Sequence, residues 1–175
     1  MRTSYIIIPI IALSLLADPA NTQELDWKNV DSVLGRTGTV SGEVHRHGFP
    51  RSDLQVTVDG VAIRSSLALG GWVAFEPAQG HSMVMGDLVL LETEINPVMT
   101  KLLDGGVEIT AVHNHLLRAN PAMFYMHIEG HGDPALMAEV IRSALSLSKT
   151  PLTTSPSHRH PPSSWTRASS TRSSA

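Results

Sequence analysis

H-N-H-L-L-R-A-N-P-A-M-F-Y-M-H-I-E-G-H occupies residues 113–131 and packs five potential metal ligands into nineteen positions. His113 and His115 are two apart, and so are His127, Glu129 and His131. Residues two apart share a face of an extended strand. Asn120-Pro121, between the two groups, reads as a turn. The stretch therefore predicts an antiparallel hairpin over about 107–116 and 122–130. With His113 opposite His127, all five polar side chains fall on one face. Val112, Leu116, Phe124, Met126 and Ile128 fall on the other, an apolar lining for a core.

Outward from this hairpin the chain alternates helix and strand signals. Asp133-Pro134 caps a helix whose stripe is Leu136, Met137, Val140, Ile141, Ala144 and Leu145. Upstream, Asn96-Pro97 predicts a short helix closed by Gly105-Gly106, and Met83 to Leu91 and Leu67 to Phe75 read as strands. Earlier still, Asp59-Gly60 between alternating segments signals a hairpin. Asp26 begins a helix with Trp27, Val30, Val33 and Leu34 on one side and Gly35 at its end. From residue 83 the order is β-α-β-β-α. The expected class is α+β, a mainly antiparallel sheet with helices on one face. The nearest named plan is a split β-α-β unit without its last strand.

The histidines suggest a metal. Neutral imidazole is the commonest protein ligand for zinc, and a site needs three or four donors around one centre. His113, His115 and His127 are the expected inner ligands of a divalent metal such as zinc, with His131 or Glu129 completing or supporting the set. Glu129 is also the candidate general base if the metal activates water. Asn114 and Tyr125, beside the histidines, and Arg51, after Phe49-Pro50, are candidates for contact with a small ligand. His45 and His47 share a strand face with no carboxylate beside them in sequence and read as surface residues. The six methionines from Met83 to Met137 are scattered and read as core filler rather than copper-binding thioethers.

Several other chemistries find no support. Histidine, asparagine and histidine are adjacent here, unlike the dispersed triad of the nucleases named for those letters. A cupin places a glutamate about four residues after its His-x-His, where Ala119 and Asn120 stand. There is no G-x-S-x-G elbow, and no cysteine to serve as thiolate nucleophile or disulfide partner.

Composition frames the rest. Residues 1–20 carry Arg2, then an apolar run from Tyr5 to Ala17, the pattern of a signal peptide too short to span a bilayer. The expected product is exported, periplasmic or extracellular, with no transmembrane segment once the signal is removed. Residues 21–152 form the single expected domain and hold nine Lys/Arg against fifteen Asp/Glu, an acidic balance that argues against a nucleic-acid partner. Residues 153–175 hold twelve Ser or Thr in 23 positions and read as a disordered tail. That tail begins where the missing strand is expected, as a shifted reading frame or degraded end would.

V-D-S-V-L-G-R-T-G-T-V-S-G, G-F-P-R-S-D-L-Q-V-T-V-D-G-V, L-A-L-G-G-W-V-A-F, G-G-V-E-I-T-A-V-H-N-H-L-L and Y-M-H-I-E-G-H-G-D-P-A together resemble the LppY/LpqO family over about residues 27–152. The resemblance implies a bacterial exported protein or lipoprotein without an assigned biochemical activity, often built from two copies of such a module. The chain departs from the lipoprotein members in having no cysteine to acylate. Three functions follow: binding of a metal or small ligand in the cell envelope; a metal-dependent hydrolase-type enzyme; or a structural half-module that pairs with itself or a second copy through its sheet edge.

Overall fold

The computed structural model describes residues 25–153, residue 79 excepted. The expected signal peptide and nearly all of the expected tail lie outside these residues. Helix α1 (Trp27–Leu34) begins where the Asp26 side chain accepts from the Asn29 N–H at 3.1 Å, and it ends at Gly35 with φ 71°. Strands β1 (Thr39–Ser41), β2 (Val44–Pro50), β3 (Val56–Val58) and β4 (Val61–Ile63) follow, then a one-turn helix α2 (Ser65–Ala68). Next come β5 (Gly70–Ala78), β6 (His81–Leu91), α3 (Glu92–Asp104), β7 (Glu108–His113), β8 (Ala119–Asn120), β9 (Met123–Gly132) and α4 (Pro134–Leu145). The result is an α+β fold built on antiparallel sheet.

Six strands form the main sheet in the order β1-β2-β5-β6-β9-β7, and a small sheet has the order β4-β3-β8. Every pairing is antiparallel. Period-two alternation divides the main sheet into an inner and an outer face. On the inner face Phe49, Val73, Phe75, Val84, Leu88, Leu90, Met126 and Ile128 pack in one cluster with Val30, Leu34, Val98, Leu102, Ile141 and Leu145 of α1, α3 and α4. Each such side chain removed from water stabilises the fold by roughly 1.5–3 kcal/mol. On the outer face a second cluster, Val56, Leu69, Val89, Met123 and Tyr125, lies beneath the small sheet and α2. The long helices thus cover one face, as expected, and the small sheet covers one end of the other.

The structure corrects several expectations. Residues 67–69 are not strand: α2 occupies Ser65–Ala68, and β5 starts at Gly70. Helix α3 starts at Glu92, before Asn96-Pro97, so Asn96 is no cap and Pro97 lies inside the helix. The Glu94 side chain accepts from the Leu91 N–H at 2.9 Å and secures this earlier start. The histidine strands are not joined by a simple turn. The chain between them carries β8, which pairs with β3 and ties the connection to the small sheet.

His47 is not a surface residue: it is 1 % exposed, with Nε2 2.8 Å from Asp31 of α1, a partner distant in sequence. His45 stacks on Trp27 at 4.0 Å between ring centres. Among the methionines Met123 and Met126 are core, whereas Met85 is 46 % exposed on the outer face. In α4, Leu136 is exposed, and Ala138 takes part in the buried side instead. Asp59 (φ 50°) and Gly60 (φ 81°) both adopt left-handed backbone, as a two-residue hairpin of the primed type requires.

Candidate metal centre

β7 and β9 pair antiparallel, but the register differs from the expected pairing of His113 with His127. His113 stands opposite Tyr125, and His127 stands opposite Ala111. A bulge between Ile109 and Ala111 inserts one extra residue in β7 and sets this offset. His113 is therefore the diagonal neighbour of His127, a separation that long or aromatic side chains span. Their rings lie 4.9 Å apart at 9° to one another, and the two Nε2 atoms approach to 2.7 Å. One of those nitrogens must then be a proton donor and the other an acceptor.

His115 follows the end of β7, and its ring lies flat on Tyr125 at 3.7 Å and 16°. It is also 4.6 Å from the His113 ring. Tyr125 is 2 % exposed and its hydroxyl donates to the Ala68 carbonyl at 2.7 Å, so the platform under His115 is anchored to α2. One ligand nitrogen from each of His113, His115 and His127 falls within 4.8 Å of the other two. Zinc–imidazole bonds are about 2.0–2.1 Å, so small side-chain adjustments bring all three nitrogens onto one ion. The triad can hold a metal.

The outer positions of the expected set fall elsewhere. His131 is four residues along β9 from His127, about 13 Å at strand rise. It faces Glu129, 3.5 Å from its Nε2, and His81, 6.5 Å between ring centres. Glu129 stands opposite Met85 on one side and Glu108 on the other, one inter-strand row beyond the triad. Asn114 is exposed, between the two histidines.

Arg51 is not available to a ligand. It is 0 % exposed and its guanidinium is held by Asp53, by Glu94 at 2.7 Å and by the Val89 carbonyl at 2.8 Å. Its role is to join the end of β2 to the start of α3.

One residue near the triad escaped the sequence reading. Asp87 of β6 is the cross-strand neighbour of His127 and of Trp72. Its Oδ1 is buried and has no hydrogen-bond partner among the described residues. Burial pushes the Asp87 carboxyl above its ordinary value, an effect opposed by the imidazoles of His127, His115 and His113. Burial and the Asp87 charge in turn raise the Tyr125 phenol. The available signal was a lone acid inside the apolar strand M-V-M-G-D-L-V-L, at the alternation shared by Met83, Met85 and Val89.

No curated protein and no solved structure matches the chain. A family model described as Domain of Unknown Function (DUF1259) matches residues 28–147, the stretch that runs from α1 through α4 and contains the whole triad, and the chain belongs to that family.

Proposed function

We propose that this protein binds a divalent metal such as zinc, or a small ligand through that metal, at His113, His115 and His127. The observation that carries the reading is the convergence of three ligand nitrogens within 4.8 Å from two strand segments. Imidazole donors without thiolates suit zinc and neighbouring divalent ions over soft monovalent copper. Tyr125 adds preorganisation, because it fixes the His115 ring before any ion arrives.

The setting we propose is the cell envelope or the extracellular space. Its support is the Arg2 and Tyr5–Ala17 pattern together with the resemblance to the LppY/LpqO family. Among the described residues no helix is long and apolar enough to cross a membrane.

The test is metal stoichiometry. Purified full-length protein is incubated with zinc, desalted and analysed for bound metal alongside a His113→Ala/His115→Ala variant. One zinc per wild-type chain and none in the variant is the expected result. Folded wild-type protein that retains no zinc rejects the assignment.

A further inference from the structure

Asp87 is the one acid that the sheet register sets directly beside the triad. It lies in a cross-strand row with Trp72 on one side and His127 on the other, all three on the outer face. The buried Oδ1 has no donor among the described residues. A buried carboxylate oxygen without a donor is costly, and such an atom in a native fold calls for an explanation. The Tyr125 hydroxyl donates to the Ala68 carbonyl, and the Nε2 atoms of His113 and His127 face each other, so none of these three reaches it. Asp87 is not part of the mutual 4.8 Å cluster of the three imidazoles, although its strand position is next to His127.

From this juxtaposition we propose that Asp87 completes the centre as the acceptor for a protic ligand, water or a hydroxyl group, that occupies the metal's remaining position. The proposal rests on the metal-binding reading above. A metal held by three protein nitrogens keeps a position for such a ligand. Carboxylates just outside the coordinating atoms commonly orient the groups around a metal, and their loss lowers metal affinity or activity about 10–100-fold. A water so placed is the one a hydrolytic centre polarises. Asp87 thus takes the place that the sequence offered to Glu129. Glu129 pairs one row away and is turned towards His131.

The proposal makes stability and metal affinity move in opposite directions. A structural acid loses both when it is replaced. An acid kept for a ligand costs stability in the empty protein and contributes only once the ligand is bound. Full-length wild type, Asp87→Asn and Asp87→Leu are compared by thermal melting without metal and by titration with zinc. The expected result is a metal-free melting temperature equal to or above wild type in Asp87→Asn, with zinc affinity about 10–100-fold weaker in one or both variants. The visible spectrum of the cobalt(II)-loaded protein is expected to change in Asp87→Asn, because the oriented ligand is altered. Zinc affinity within twofold of wild type in both variants overturns the proposal, as does a matching loss of stability in the metal-free proteins. Wild type that binds no zinc overturns the triad assignment itself, which separates the two failures.

Discussion

Replacing Arg51 with Met tests whether this guanidinium is a structural tie. Arg51 makes five side-chain hydrogen bonds: two each to Asp53 and Glu94 and one to the Val89 carbonyl. Glu94 is itself 6 % exposed and also accepts from the Leu91 and Lys149 N–H groups. Removing the cation leaves a buried carboxylate uncompensated, a loss of about 3–5 kcal/mol for a pair this enclosed. For a domain of this size each kcal/mol is worth roughly 3–6 °C in melting temperature, so Arg51→Met lowers it by roughly 10–30 °C. Adding Glu94→Gln removes the stranded charge and keeps an acceptor for Leu91 N–H. The double variant is therefore expected to melt above the single one. Burial alone raises the Glu94 carboxyl, but the bonds from Arg51 and from the Leu91 and Lys149 amides outweigh it and hold it below its ordinary value. A depressed carboxyl contributes stability above its unfolded value and loses it as pH falls through the folded one. The gap between wild type and Arg51→Met accordingly narrows in acid. Circular-dichroism melts across pH measure all of this. A single-variant loss under about 1 kcal/mol, or a double variant no better than the single, refutes the argument.

Three further outcomes are expected. Gly86→Ala destabilises the protein by about 1–3 kcal/mol in chemical denaturation, because a Cβ there meets the Trp72 carbonyl and the Ile128 and Val73 side chains at 2.9 Å. Tyr125→Phe removes one hydrogen bond to Ala68 and costs about 1 kcal/mol, yet keeps the ring under His115, so zinc affinity measured by competition changes little. Asp87→Asn without metal gains stability relative to wild type as pH rises: a raised carboxyl favours folding only while protonated, and that contribution is lost through its folded value. Paired melts at acidic and neutral pH measure the divergence, and a constant gap counts against it.

Features set by local chemistry were legible in the sequence. Asp26 and Asp133 start their helices and Gly35 ends one where the caps predict, and Asp59-Gly60 makes its hairpin. Alternation also puts Met126 and Ile128 of β9 on the core side, away from His127, but Leu116 packs in the outer cluster and Val112 is exposed, against expectation. What escaped was set by partners far away in the chain. The β7 bulge, which decides that His113 meets His127 diagonally, leaves no mark in composition. Helix α3 starts at Glu92 because of a carboxylate that also reaches Arg51 and Lys149, groups 43 and 55 residues distant. Arg51 looked available because Asp53 is its only near partner, and Asp31 lies sixteen residues from His47. Asp87 went unread for the same reason, since its meaning depends on which strand lies beside β6.

The strand order explains why the centre lies where it does. Helices α1, α3 and α4 seal the inner face with apolar side chains, and an ion site there would exchange that burial for charge. On the outer face the small sheet and α2 cover only the end near Val89, Met123 and Tyr125. Tyr125 belongs to that covered cluster, whereas His127, two residues further along β9, stands just beyond its edge. The triad therefore sits on the boundary between a packed surface and an open one. Packing on one side holds the Tyr125 ring in place beneath His115. The open side would leave room for a further ligand on any metal held by the triad. A placement deeper under the small sheet would exclude the ligand, and one further out would leave the rings without the stacking that orders them.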